Sequence, residues 1–98
     1  EILRDTSYEL MDGRPDKEKI EEIRTIACSI EGVIDVYDLK IRSYGPHYIT
    51  DLKIVVRDQL TVVEGHNIAC QVKNRIIEQS DNVKDVLVHV DPASVHKD

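Results

Sequence analysis

Near its end the chain carries the run Val86-Leu87-Val88-His89-Val90-Asp91-Pro92, an imidazole two residues ahead of a carboxylate in a β-branched stretch that a proline stops. Residues i and i+2 of a strand point to one side of it, so His89 and Asp91 project together. Imidazole nitrogen and carboxylate oxygen are both ligands for a divalent cation such as Zn²⁺. A further imidazole, His66 in Glu64-Gly65-His66, falls on a predicted helix. Three donors on two elements offer cation binding at a site that only the fold can assemble.

Other chemistry finds little support in the residues. Cys28 and Cys70 are far apart, and each lies within an apolar helical pattern. Neither belongs to a CxxC motif. Both are therefore expected to be buried, reduced thiols, which fits a reducing compartment. No nucleophile has a base beside it, and no GxSxG, phosphate-binding loop or dinucleotide-binding glycine pattern is present. The chain is not expected to be an enzyme. His47 and Asp51 share a strand face but stand four residues apart, about 13 Å at the usual strand rise, too far for one ion. His96 lies in the tail and is assigned no role.

The 98 residues amount to one domain, 41% hydrophobic and without Phe or Trp, so its core must be built from Ile, Val and Leu. Domains this small bury a low fraction of their surface, and a second copy or a metal would help to stabilise one. A formal net charge of −6 argues against a nucleic-acid partner, which needs clustered Lys and Arg. It is compatible with cation binding. No stretch is long and apolar enough to span a bilayer, and no direct membrane insertion is expected of this segment. The first residue is Glu1 rather than Met, which suits a piece of a longer protein.

The elements that must position the donors follow from periodicity. Residues 1–13 read as a leading segment, and Asp12-Gly13-Arg14-Pro15 as a turn into a helix. Ile20, Ile23, Ile26, Ala27 and Ile30 form that helix's apolar stripe, with Gly32 ending it. Residues 33–42 read as a strand whose alternation slips by one near Tyr37-Asp38, which predicts a bulge. Ser43-Tyr44-Gly45-Pro46 turns the chain into a second strand over 48–57, completing an antiparallel hairpin. Thr61-Val62-Val63-Glu64 is a capping box opening a second helix, with Val62, Ala69, Val72 and Ile76 as its expected buried stripe and Ile68 and Ile77 on its flank. A last strand spans 83–90. The predicted organisation is a single unit over 14–92, followed by a flexible tail over 93–98. The order α-β-β-α-β makes an α+β, ferredoxin-like fold lacking its first strand. In it, a three-stranded mixed sheet is covered on one face by two helices.

The runs from Gly32 to Arg42, Ser43-Tyr44-Gly45-Pro46, Glu64-Gly65-His66 and Val88-His89-Val90-Asp91-Pro92 occur in this order. Together with Leu10-Met11-Asp12-Gly13 they resemble the cytoplasmic C-terminal domain of cation diffusion facilitator transporters, over nearly the whole chain. The resemblance implies a metallochaperone-like fold and a homodimer. It also implies a transmembrane domain preceding this segment, so that the chain is the cytoplasmic domain of an integral membrane protein of the plasma or inner membrane. The family exports Zn²⁺ and related divalent ions, usually against protons. Its C-terminal domains pair, and metal bound near their interface draws them together. On that reading this segment regulates and dimerises but does not conduct. His66, His89 and Asp91 match three ligand positions of bacterial zinc-exporting members, for Zn²⁺ or another divalent transition metal ion. Tyr37 and Lys53 stand where those members have histidines. Lysine has no acceptor, so Lys53 would repel an ion, and an ion pair with Asp51 or an acid of the partner chain is expected for it. Two different readings remain: a stand-alone ferredoxin-like dimerisation module that binds a small ligand, and a metal chaperone. The first lacks a glycine-rich loop, and the second lacks a CxxC loop.

Overall fold

A computed structural model describes residues 14–96. The leading segment, including Leu10-Met11-Asp12-Gly13, and the last two residues of the tail lie outside that range. The elements are α1 (Arg14–Cys28), β1 (Asp35–Tyr44), β2 (His47–Val56), α2 (Val62–Gln79), β3 (Val83–Pro92) and a short α3 (Ala93–His96). The sheet order is β1-β2-β3, antiparallel between the first two strands and parallel between the last two. The fold is thus the expected ferredoxin-like α-β-β-α-β arrangement. A short α3 follows directly on β3, where the Ser94 amide donates to Asp58 Oδ1 at 3.0 Å.

The core lies between the helices and one sheet face. Ile23, Ile26, Ala27 and Ile30 of the first helix and its exit turn meet Val36, Ile41, Leu52, Ile54, Val56, Val83 and Val86 of the sheet and Ile68, Val72 and Ile76 of α2. The exposed face of α2 differs from expectation. Its buried positions are Gly65, Ile68, Val72 and Ile76, while Val62 is 89% exposed. Ile68, Val72 and Ile76 are four apart and form one ridge. Val62, six residues before Ile68, lies well round the helix from it at 100° per residue. The same rotation corrects the expectation for Cys70, which lies on the outer side of α2; Cys28 is the last residue of α1, and both thiols are exposed and unbridged rather than buried.

Local chemistry fixes the boundaries. The Thr61 hydroxyl accepts from the Glu64 amide at 3.0 Å, and the Glu64 carboxylate accepts from the Thr61 amide at 2.9 Å, completing the capping box. The hairpin closes over Gly45-Pro46, with Tyr44 paired to His47. Gly45 supplies φ +63, and proline fixes the second position. The slip in β1 is real: register shifts between Tyr37 and Lys40, and Asp38 takes φ +53. The buried Thr50 hydroxyl donates to the Lys40 carbonyl at 2.7 Å, satisfying an acceptor beside the bulge.

Candidate metal centre

The pleat of β3 decides where the donors point. Val86 is buried in the core, Val88 packs against it, and Val90 faces Gly65 of α2. The intervening Leu87, His89 and Asp91 therefore project from the opposite, open face of the sheet. There His89 pairs in register with Lys53, and Lys53 with Tyr37. Asp91 pairs with Val55, which is only 2% exposed although it stands outside the main core. Tyr37, Lys53, His89 and Asp91 thus form one polar patch across all three strands.

That patch is wired internally. The Tyr37 hydroxyl donates a short hydrogen bond to Asp91 Oδ2. This bond holds the phenol's proton and raises its pKa from 10.0 to about 12, with desolvation and the charges of Asp91 and Asp38 adding to the shift. The Lys53 ammonium lies 3.2 Å from Asp38 Oδ2 and 5.7 Å from the centroid of the Tyr37 ring. The bulge presents Asp38 to it, so Lys53 pairs with this acid rather than with Asp51. One row along, Asp51 Oδ1 is buried and accepts no hydrogen bond, with the Arg42 guanidinium at 3.8 Å as its ion-pair partner.

His66 stands elsewhere. It sits in the second turn of α2, on the helical side of the sheet. There it lines a groove of about 400 Å³ with Val56, Leu60, Thr61, Val90 and Pro92. One chain therefore brings His89 and Asp91 together and leaves His66 across the sheet from them. Among the described residues, no three His, Cys, Asp or Glu side chains form a group able to hold a metal ion. The open face offers two good donors and an orphaned carboxylate oxygen, beside a fixed cation. Imidazole and carboxylate suit a divalent ion in kind, but among the described residues one chain does not assemble a complete site for it.

One juxtaposition escaped the reading of the sequence. Cys70 Sγ lies 3.4 Å from His66 Nε2. Its signal is the spacing His-x-x-x-Cys, one helical turn, which the expectation of a buried thiol at Cys70 hides.

Comparison with known proteins decides the family. Residues 15–93 match the model of the family described as "Cation efflux protein, cytoplasmic domain". The chain belongs to this family. It is 30% identical over 92 residues, 94% of its length, to the manganese efflux system protein MneP of Bacillus subtilis, of which it covers 31%. It is 36% identical over 81 residues, 83% of its length, to the cation-efflux pump FieF of Escherichia coli K12, of which it covers 26%. The chain thus spans between a quarter and a third of these relatives. Solved structures share the fold. The metal-bound C-terminal domain of the CzcD transporter from Thermotoga maritima superposes with a TM-score of 0.77 at 22% identity, over 81% of this chain and 92% of that one. A variant of MamM-CTD superposes at 0.79 and 21% identity, over 82% and 96%. Among the described residues, no helix of this efflux-protein domain is long and apolar enough to cross a membrane.

Proposed function

We propose that this domain is the regulatory and dimerising part of a divalent metal efflux transporter that works as a metal/proton antiporter. In this reading it pairs with a second copy beneath its own transmembrane domain. Its metal, Zn²⁺ or another divalent transition ion, is held by His89 and Asp91 together with His66. The observation that carries this reading is the family match, joined to the projection of His89 and Asp91 from one face of an edge strand. Because His66 lies across the sheet from them in one chain, the three ligands are to be drawn from both members of the pair.

The physical mechanism is charge cancellation. Two copies of a chain of net charge −6 repel when they approach. A divalent cation at their contact removes part of that repulsion and bridges ligands that are otherwise apart. The paired state then gains population, by no more than the difference in metal affinity between the two states. Asp91 must exchange the Tyr37 hydroxyl for the ion. His89 and His66 must each present a neutral nitrogen.

Small-angle X-ray scattering of the purified domain, with and without Zn²⁺, tests this reading. A smaller radius of gyration for the metal-loaded pair is expected. Identical scattering curves at saturating metal would remove metal-driven closing.

A further inference from the structure

The Tyr37 phenol crosses the open face to reach the last strand. Tyr37 of β1 is in register with Lys53 of β2, and Lys53 with His89 of β3. The Tyr37 hydroxyl donates to Asp91 Oδ2, two residues beyond His89, so the side chain arches over the middle strand. Val55, the β2 register partner of Asp91, stands beneath that path and is only 2% exposed although it faces the open side. From this contact we infer that Tyr37 is an internal latch on the strand site: its hydroxyl occupies a carboxylate oxygen that an ion needs, and so sets the ion concentration at which the site fills. The inference rests on the His89 and Asp91 site proposed above and adds the residue that limits its occupancy.

Three features hold the latch shut. Its acceptor is a carboxylate, and hydrogen bonds to an ionised acceptor are stronger than those between neutral groups. The Lys53 ammonium lies 5.7 Å from the centroid of the Tyr37 ring, within cation–π range. Lys53 is itself held 3.2 Å from Asp38 Oδ2, and the β1 bulge gives Asp38 the φ of +53 that presents it there. Bulge, lysine and phenol thus form one chain of contacts that ends on Asp91. A phenol proton and a cation compete for the same carboxylate lone pairs. An ion displaces the hydroxyl only where its own bond to Asp91 exceeds what the carboxylate loses. That loss is the same for every ion. It therefore empties the site of a weakly held, reluctantly dehydrated ion such as Mg²⁺ before it excludes a transition ion that imidazole also binds.

Calorimetric Zn²⁺ titration of the wild type, Tyr37→Phe and Asp91→Asn at neutral pH tests the latch. Tyr37→Phe removes the hydroxyl alone and keeps the ring. It is expected to bind about fivefold tighter, the factor that the net worth of one ordinary hydrogen bond gives, while Asp91→Asn binds more weakly than the wild type. The unmutated chain supplies a second readout. A phenol that gives up a carboxylate acceptor absorbs at shorter near-ultraviolet wavelength, so Zn²⁺ should produce a saturable tyrosine difference spectrum, abolished in Tyr37→Phe and kept in Tyr44→Phe. If Asp91→Asn is weakened but Tyr37→Phe binds no tighter than the wild type, the latch is overturned and the strand site stands. Weaker binding by Tyr37→Phe would make the phenol a group that orients Asp91 rather than one that competes for it. Metal uptake without a difference spectrum, or a spectrum that survives Tyr37→Phe, would also overturn the latch. Overlaid heats for the wild type and Asp91→Asn, or no uptake by either the wild type or Tyr37→Phe, would overturn latch and strand site together.

Discussion

Lys53→Met is the sharpest single test of the open face. Lys53 is the register partner of His89, so its ammonium stands one strand away from any ion that His89 and Asp91 hold. Removing it relieves a repulsion between one and two elementary charges. At a separation of roughly 7 Å, the reach of a diagonal cross-strand neighbour, and a dielectric constant of about 80, that repulsion is about 1.2 kcal/mol. Salt at about 0.1 M, with a Debye length near 10 Å, halves it to about 0.6 kcal/mol, or roughly a threefold change in affinity. At about 0.01 M salt the screening nearly vanishes and the factor becomes roughly fivefold. The fold should survive the change, because the Lys53–Asp38 pair is more than a third exposed at both ends and worth at most about 1 kcal/mol. Calorimetric Zn²⁺ titration of wild type and variant at both ionic strengths reads the effect. Tighter binding by the variant, with a gap that widens as salt falls, is expected. Equal affinity at both salts, or weaker binding by Lys53→Met, would refute the placement of metal beside His89.

Three other outcomes follow from the same structure. Gly32→Ala should lower the urea midpoint, because φ is +102 and a new Cβ would lie 2.6 Å from Ile68 Cδ1; the conformation alone costs about 1–2 kcal/mol. Pairing that change with Ile68→Val, which deletes the clashing methyl, should recover part of the loss, and an unchanged midpoint in Gly32→Ala would contradict the local geometry. In the metal-free domain the folded-state pKa of Tyr37 is raised to about 12, so its contribution to stability is complete below about pH 10 and is lost as pH rises through 12. Tyr37→Phe should therefore remove a phenol that ionises near pH 12 from an absorbance titration, and an identical alkaline profile would contradict the bond to Asp91. Metal affinity should fall as pH drops from about 7.5 to about 5.5, because protonated imidazoles cannot ligate, and a flat calorimetric profile would exclude His89 and His66 as ligands.

The elements were legible wherever local chemistry and burial agreed. The Thr61-to-Glu64 capping box, the Gly45-Pro46 hairpin and the slip at Tyr37-Asp38 each have one local cause, and each stands where periodicity puts it. The rotation of α2 was not legible, because Val62, Ala69, Ile68 and Ile77 offered two overlapping apolar stripes. Contact with the sheet chose the one through Ile68 and Ile76. The exposure of Cys70, and with it the His66–Cys70 contact, depended on that choice. The pairing of His89 with Asp91 on one face followed from strand alternation alone. The position of His66 across the sheet did not, since it depends on which face the helices cover. Likewise Lys53 met Asp38 rather than Asp51 because the bulge gives Asp38 a left-handed backbone and brings its carboxylate within 3.2 Å.

If the proposed function holds, this efflux-protein domain takes up a divalent ion at the His89 and Asp91 couple of its last strand. Calorimetric titration of Zn²⁺ into the wild-type chain and into Asp91→Asn, in parallel, tests it most directly. Saturable uptake by the wild type, with affinity sharply reduced in Asp91→Asn, is the expected result. Heats that overlay for the two proteins, or no saturable heat from the wild type, would contradict it.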